Sequence, residues 1–348
     1  MSERLWSTLR SVISPVVAIA VALIVGALLM LSFGFDPIRG YVALFRGSFG
    51  SIDGWMETLA FSTPLMVTAI TFAVGMRAGL FNIGAEGQVY MGAAGAIAVG
   101  GMVSLPPGLH LVAATAAAML VGGLWALPAA LLKMWRGVHE VVSTIMFNWI
   151  AFWFVTYLIR YHITDPDRAE RATPAMITAR YPILGGSLTG VIFVIIAFCV
   201  AIYFLLWHTG LGYELRLAGD NPDAARYAGV SFRRVILLTF LIGGLAAGLA
   251  GGSQILGRPP SWTVYATLGN LLNLGFQGIG VALIGRNHPI GAIFAAVFFG
   301  GLAHGGRFME YEVGVSAEMV GAINGIIVIA LALPEILRIV KRVRTVKE

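Results

Sequence analysis

The sequence predicts an all-α integral membrane protein with about ten transmembrane helices, some of them broken or re-entrant. Three observations predict this class. Of the 348 residues, 58% are hydrophobic and only 11% are charged, whereas soluble domains carry about 25% charged residues. The 44 glycines suit helices that pack closely within a membrane. Finally, uncharged runs long enough to cross a bilayer, about 20 residues each, follow one another along the chain.

Each uncharged run predicts one span, except that 87–132 is long enough for two spans joined by a turn at Pro106-Pro107-Gly108. The other runs are 11–35, 58–76, 141–159, 181–213, 235–257, 259–285, 287–306 and 319–334. We expect a single membrane domain over 1–348. Its main extramembrane pieces are outward loops at about 35–57 and 160–186 and an inward loop at about 208–234.

The basic residues orient these spans. An even number of spans places both termini on one side, and about two thirds of the 23 lysines and arginines fall on that side. The positive-inside rule therefore predicts cytosolic termini and a cytosolic loop at 208–234. The same bias accounts for the net charge of +6 without a nucleic-acid partner, and the basic C-terminal tail suits anionic membrane lipid.

Motifs for catalysis are missing from the sequence. It has no G-x-x-x-x-G-K-[ST] phosphate loop, its six histidines are scattered without metal-ligand spacing, and no nucleophile elbow is present. We therefore expect no catalytic residue, no metal and no cofactor bound by this chain. Uphill transport would need energy from an ion gradient or from another chain.

The inward loop at 208–234 contains a short helix with clear end signals. Asn221 reads as the N-cap, Pro222 as the first helical residue and Gly229 as the stop. Such a helix has roughly two turns, which is too short to be stable alone in water. We therefore expect it to dock on a partner.

Two polar, glycine-rich segments interrupt the apolar runs at comparable places in the two halves: 79–88 reads GLFNIGAEGQ and 268–280 reads LGNLLNLGFQGIG. Paired breaks of this kind point to a transport site. An ionisable Glu86 at membrane depth is a functional candidate. The alternative is that Glu86 only anchors a re-entrant turn, and both interpretations stay open.

Polar side chains also fall at helical spacing. Glu140, Thr144 and Asn148 would share one helix face, and Asn270, Asn273 and Gln277 another. These faces would point into the bundle, where they could line a path for a hydroxyl-rich solute or form interhelical hydrogen bonds.

Four segments carry a resemblance: 81–88 (FNIGAEGQ), 139–148 (HEVVSTIMFN), 212–229 (GYELRLAGDNPDAARYAG) and 280–291 (GVALIGRNHPIG). Together they resemble the inner-membrane permeases of bacterial ABC importers for simple sugars and nucleosides, and the first of them is most similar to the nucleoside branch. One departure is His139, where asparagine is expected before the glutamate.

This resemblance implies a type II ABC importer-like permease in the bacterial cytoplasmic membrane. It implies two cytosolic ATPase subunits that bind ATP and Mg²⁺, a second and related permease chain, and an extracytoplasmic binding lipoprotein. It makes the inward helix a coupling helix for the ATPase. The residues that we expect to couple are Glu214, Arg216, Gly219, Asp220, Asn221, Pro222, Ala224, Ala225, Arg226 and Gly229.

The function that we expect is inward translocation of nucleosides or related simple sugars by alternating access. An ion-coupled secondary transporter with Glu86 as its ion or proton site is the alternative. The sequence does not identify the solute or show whether the permease core is a homodimer or a heterodimer. The candidates for the substrate path are Phe81, Asn82, Glu86, Gln88, Thr144, Asn148, Asn270, Asn273 and Gln277.

Overall fold

The structure, a computed structural model, describes residues 20–316, 318–323, 325–326 and 329. Half of the predicted tenth span, 319–334, lies outside the described residues, and the basic tail after it lies wholly outside them. The described chain is mostly helical, as the composition predicts. Its helices are α1 Ala20–Ser32, α2 Pro37–Phe49, α3 Ile52–Arg77, α4 Ala85–Gly100, α5 Leu109–Arg136, α6 Glu140–Tyr161, α7 Val191–His208, α8 Gly210–Asp220, α9 Pro222–Tyr227, α10 Phe232–Leu256, α11 Leu274–Ile284 and α12 Pro289–Val313.

Six helices of the described chain are long and apolar enough to cross a membrane: α3, α5, α6, α7, α10 and α12. Helices α1 and α11 are apolar but shorter, and α4 has 16 residues. The structure therefore supports a multi-pass membrane protein, while the count of ten spans is not confirmed.

The predicted outward loop at 35–57 contains a helix that sequence reasoning missed. Asp36 caps α2, because its carboxylate accepts hydrogen bonds from the backbone N–H groups of Ile38 and Arg39. Pro37 follows as the first helical residue, where its missing N–H costs nothing. The start of α2 could have been predicted from the Asp36-Pro37 pair in the sequence.

The described chain divides into two compact units, residues 20–58 with the described residues from 298 onward, and residues 59–297. In the first unit, the Tyr41 hydroxyl donates to the Leu23 carbonyl at 2.6 Å. The Ser48 hydroxyl donates to the Gly301 carbonyl, also at 2.6 Å. These bonds join α2 to α1 and to α12 within that unit.

The core of the second unit is built from α4, α5 and α10, which meet at glycines. A Cβ atom on Gly92 or on Gly122 would lie 2.5 Å from the Cα of Gly248. No side chain fits between these backbones, so three helices approach more closely than larger residues permit. This tight packing supports the segments that carry the polar residues.

Short antiparallel strands occupy the loop between α6 and α7. Strand β1 (Thr164–Asp165) pairs with β2 (Arg168–Ala172), and β3 (Ile183–Gly185) pairs with β4 (Leu188–Thr189). The backbone N–H of Asp167 and the Arg171 guanidinium hold the pKa of Asp165 below its ordinary value. Arg171 in β2 also forms an isolated bridge with Tyr265, which links this loop to the segment between α10 and α11.

Candidate coupling surface and polar cluster

The short helix α9 has the end signals that the sequence predicts. The Asn221 side-chain oxygen accepts hydrogen bonds from the backbone N–H groups of Asp223 at 3.1 Å and Ala224 at 3.0 Å. Pro222 is the first helical residue, and Gly229 has φ +78° just beyond the helix end. The cap, the start and the stop are therefore confirmed, with a helix of six residues.

Nearly all of α9 is uncovered. Ala225 is its one buried residue, and Tyr227 is 95% exposed. We call the exposed face of residues 220–229 the 220–229 surface. A six-residue helix is too short to persist by itself in water, so α9 depends on its cap and on contacts with other residues.

Helix α8 was not predicted from the sequence, although Thr209, a residue that favours helix N-caps, precedes it. The Thr209 hydroxyl accepts a hydrogen bond from the backbone N–H of Gly212 at 3.1 Å and caps the helix. The buried residues of α8 are Gly212, Leu215 and Ala218, a spacing of three that marks one helix face. Helix α8 therefore packs by one face and carries α9 at its end.

The predicted coupling residues on α8 differ in their surroundings. Arg216 donates from Nε to the Leu206 carbonyl at 3.0 Å and lies over the Trp207 ring, so its guanidinium holds α8 against α7. Glu214 forms an ion pair with Arg234 at 3.8 Å, and both side chains are partly exposed, so the pair contributes little stability. Asp220 is exposed and belongs to the 220–229 surface.

Glu86 is buried, at 3% exposure, and its carboxylate caps a distant helix. It accepts hydrogen bonds from the backbone N–H groups of Asn273 at 2.5 Å and Gly275 at 2.7 Å, and from the Tyr90 hydroxyl at 2.6 Å. The first N–H groups of a helix lack internal partners and favour negative charge. Glu86 therefore supplies from α4 the cap that the Asn273 side chain does not supply to α11.

Two amide side chains stabilise the turn that leads into α4. The Asn82 and Gln88 amides, at 1% and 2% exposure, exchange hydrogen bonds of 3.3 and 3.2 Å. The Asn82 side-chain oxygen also accepts from the backbone N–H of Gly84 at 3.0 Å. These bonds close the turn, and we refer to Asn82, Glu86, Gln88 and Asn148 as the polar cluster.

Asn148 joins α6 to the same turn. Its amide nitrogen donates to the Ile83 carbonyl at 2.9 Å, and its oxygen accepts from the Gly87 N–H at 2.8 Å. Glu140 and Thr144 are also buried, as the predicted shared face requires. Glu140 pairs with Lys133 at 2.6 Å, and the Thr144 hydroxyl donates to the Glu140 carbonyl at 2.7 Å.

The prediction that Asn270, Asn273 and Gln277 share one helix face is wrong. Helix α11 begins at Leu274, so only Gln277 lies within it. Leu268 and Asn273 have φ angles of +54° and +66°, which a right-handed helix does not contain. Periodicity alone assumes a continuous helix, and these two residues interrupt it.

The structure separates the substrate-path candidates into two groups. Asn82, Glu86, Gln88, Thr144 and Asn148 are buried and donate to or accept from protein groups. Phe81 is 42% exposed, Asn273 is exposed and Gln277 is partly exposed. Asn270 donates to the Thr263 carbonyl at 3.0 Å, while its buried side-chain oxygen has no hydrogen-bond partner among the described residues.

Replacing Asn148 by alanine is expected to lower stability without changing solute affinity. The change leaves the Gly87 N–H and the Ile83 carbonyl buried and unpaired, at about 1–3 kcal/mol each. The melting temperature of the purified protein and the KM for uptake measure the two effects separately. Asn148→Asp is the comparison variant: it keeps the acceptor for the Gly87 N–H but replaces the donor to the Ile83 carbonyl by an oxygen, so it should also lower stability. A raised KM at unchanged melting temperature would assign Asn148 to the solute path instead.

No group of three or more His, Cys, Asp or Glu residues with metal-binding geometry occurs in the part of the chain that the structure describes. The polar cluster contains one carboxylate, and backbone N–H groups and the Tyr90 hydroxyl occupy it. The contacts of the cluster are hydrogen bonds within the protein.

Comparison with known proteins gives the family. The profile described as "Branched-chain amino acid transport system / permease component" matches residues 55–332. The guanosine ABC transporter permease protein NupP of Bacillus subtilis is 37% identical, over 93% of this chain and 94% of its own. The guanosine ABC transporter permease protein NupQ of the same organism is 28% identical, over 70% of this chain and 78% of its own.

Another relative, whose name gives a different substrate, has a similar level of sequence identity. The glucose ABC transporter permease protein TsgB13 of Haloferax volcanii is 32% identical, over 92% of this chain and 87% of its own. These relatives are transport subunits, and the family profile covers most of the chain. The chain therefore belongs to the family of branched-chain amino acid transport system permease components, and it is a permease subunit of an ABC transporter rather than an enzyme.

Proposed function

We propose that this chain is the permease of an ATP-driven importer that passes nucleosides into the cytoplasm by alternating access. The observation that carries the proposal is the 220–229 surface, a capped helix with a single buried residue, Ala225. Because the sequence lacks a phosphate loop, the energy arrives from a docked partner. In this proposal ATP and Mg²⁺ bind to the cytosolic ATPase subunits, and this chain holds no cofactor.

The identity of the solute follows from the relatives. NupP, which is named for guanosine, is more similar to this chain than TsgB13, which is named for glucose. We therefore place nucleosides first and simple sugars second. Of the path candidates, Phe81, Asn270, Asn273 and Gln277 have exposed or partly exposed surface. Aromatic and amide side chains are groups that suit a base or a sugar.

The assembly that we propose has two related permease chains, two cytosolic ATPase subunits and an extracytoplasmic binding lipoprotein. The pair NupP and NupQ in one organism supports a heterodimeric permease core. We place the protein in the bacterial cytoplasmic membrane, with ten spans and cytosolic termini, because the distribution of basic residues favours that orientation.

The ion-coupled alternative is not favoured. It would use Glu86 as an ion or proton site, but two backbone N–H groups and the Tyr90 hydroxyl already bind this carboxylate. Freeing it for an ion would leave the start of α11 uncapped. These bonds favour the other interpretation from sequence, that Glu86 anchors a re-entrant turn.

Reconstitution of the complete complex into proteoliposomes tests the proposal. Radiolabelled guanosine uptake is measured with ATP on the ATPase side and the binding lipoprotein on the other. We expect uptake to require ATP and to continue when an ionophore collapses the proton gradient. Uptake that persists without ATP and stops with the ionophore would overturn the proposal. ATP-dependent uptake of radiolabelled glucose or ribose, with no uptake of guanosine, would reassign the solute to simple sugars.

A further inference from the structure

The turn between α3 and α4 lies directly against the end of α8, with no side chain between the two backbones. A Cβ atom on Gly79 would lie 3.1 Å from the Cα of Gly219, and one on Gly219 would lie 2.8 Å from the Gly79 nitrogen. Gly79 also has φ +70°. Backbone contacts of this kind are stiff, because no rotamer change can absorb a displacement. A movement of α8 is therefore transmitted to residues 79–84.

Residues 82–88 form one hydrogen-bonded unit beyond this contact. Asn82 bonds to the Gln88 side chain and to the Gly84 N–H. Asn148 bonds to both Ile83 and Gly87. A displacement of the turn therefore reaches the first turn of α4, where Glu86 lies, rather than dissipating in a loose loop.

Glu86 connects this unit to the start of α11, which is distant from it in sequence. Its two bonds to the backbone N–H groups of Asn273 and Gly275 attach α4 to the start of α11. Charge-assisted bonds to helix N-termini are stronger than neutral ones. The start of α11 consequently moves with α4 as long as the carboxylate is in place.

The segment before α11 is joined to the loop between α6 and α7. The Ala172 N–H donates to the Val264 carbonyl and the Ala266 N–H donates to the Glu170 carbonyl, both at 2.9 Å. Asn270 then donates to the Thr263 carbonyl at 3.0 Å. Thus the strand pair β1–β2, the segment 262–273 and the start of α11 form a continuous bonded series.

We infer that Glu86 is a positioning residue that links the ATPase side of the transporter to the loop predicted to face the binding protein. The series runs from α8 through Gly79 and the polar cluster to Glu86, and from there through Asn273 to β2. The inference rests on the proposed function, which supplies the partners at the two ends. Spatial continuity by itself does not demonstrate coupling, so the test has to measure communication between the ends.

The first test compares Glu86→Gln with the matched control Tyr90→Phe in the complete complex. Glutamine has the same shape, but it lacks the charge and presents an N–H₂ group to backbone donors. Phenylalanine removes one bond to Glu86 and leaves both bonds to α11. For E86Q we expect stimulation of ATP hydrolysis by the loaded binding protein to fall by about tenfold, within the usual range of coupling between sites. Basal hydrolysis should stay within about twofold, and Y90F should keep most of the stimulation.

Hydrogen exchange shows where along the bonded series the E86Q substitution interrupts the response to nucleotide. In the wild-type complex, trapping with ATP and vanadate should change the exchange of residues 79–84 and of residues 270–277 together. In E86Q only 79–84 should still respond. An E86Q complex in which 270–277 responds as in the wild type, or in which stimulation is normal, overturns the inference.

A wild-type measurement keeps the inference testable if E86Q does not assemble. A nucleotide-induced change confined to 79–84 in the wild-type complex contradicts the link. This outcome is distinct from failure of the proposed function, in which the wild-type complex shows no ATP-dependent uptake.

Discussion

Replacing Ala224 by glutamate is expected to reduce nucleoside uptake by at least about tenfold while the permease itself stays folded. Ala224 is exposed on α9, and glutamate is a good helix former, so α9 persists. The added charge would be buried when the ATPase covers the 220–229 surface, and an unpaired charge at an interface costs several kcal/mol. Co-purification of the ATPase subunits and uptake by proteoliposomes measure the effect.

The matched control is Ala169→Glu, which adds the same charge to an exposed alanine of β2. It should leave co-purification of the ATPase unchanged, because residue 169 lies in the loop predicted to face outward. Normal ATPase binding and uptake in Ala224→Glu would show that α9 is not the docking element. The buried Ala225 and Gly229, with its positive φ, are poorer sites for this test, because their replacement would disturb α9 itself.

Replacing Gly248 by alanine is expected to destabilise the second unit by about 1–3 kcal/mol, the usual cost of overpacking. The new methyl group would meet the backbone of Ala118 and lie 3.1 Å from the Cα of Gly122. Since these neighbours are backbone atoms, α10 has to separate from α5. The melting temperature and the yield of monodisperse protein report the loss.

Gly210→Ala is the control for this substitution. Nothing lies within 4 Å of a Cβ atom built on Gly210, so alanine should be tolerated at the start of α8. Equal melting temperatures for the wild type and Gly248→Ala would mean that α4, α5 and α10 are not packed through this glycine.

Local signals predicted the features that depend on neighbouring residues. The end signals of α9 are the clearest case, because Asn221 caps N–H groups only two and three residues away. The buried face of α6 is another, since Glu140, Thr144 and Asn148 lie on one uninterrupted helix. Helix α8 and helix α2 were within reach of the same reasoning, through Thr209 and Asp36, but were not predicted.

The error at Asn270, Asn273 and Gln277 has a physical cause. Their spacing fits a helix, but the backbone turns at Leu268 and at Asn273 through positive φ angles. Helix α11 can begin after Asn273 because the carboxylate of Glu86, on another helix, accepts hydrogen bonds from the N–H groups at its start. No window of sequence around residue 270 contains that information.

By itself the sequence determined that this is a membrane protein with a short capped helix, because hydrophobic length and helix caps are encoded by adjacent residues. It also identified Glu86 as unusual, since a carboxylate among glycines at membrane depth is rare. Only the tertiary structure showed which groups Glu86 contacts. Its two backbone hydrogen-bond donors lie 187 and 189 residues away along the chain, and only the packing of the helices brings them together.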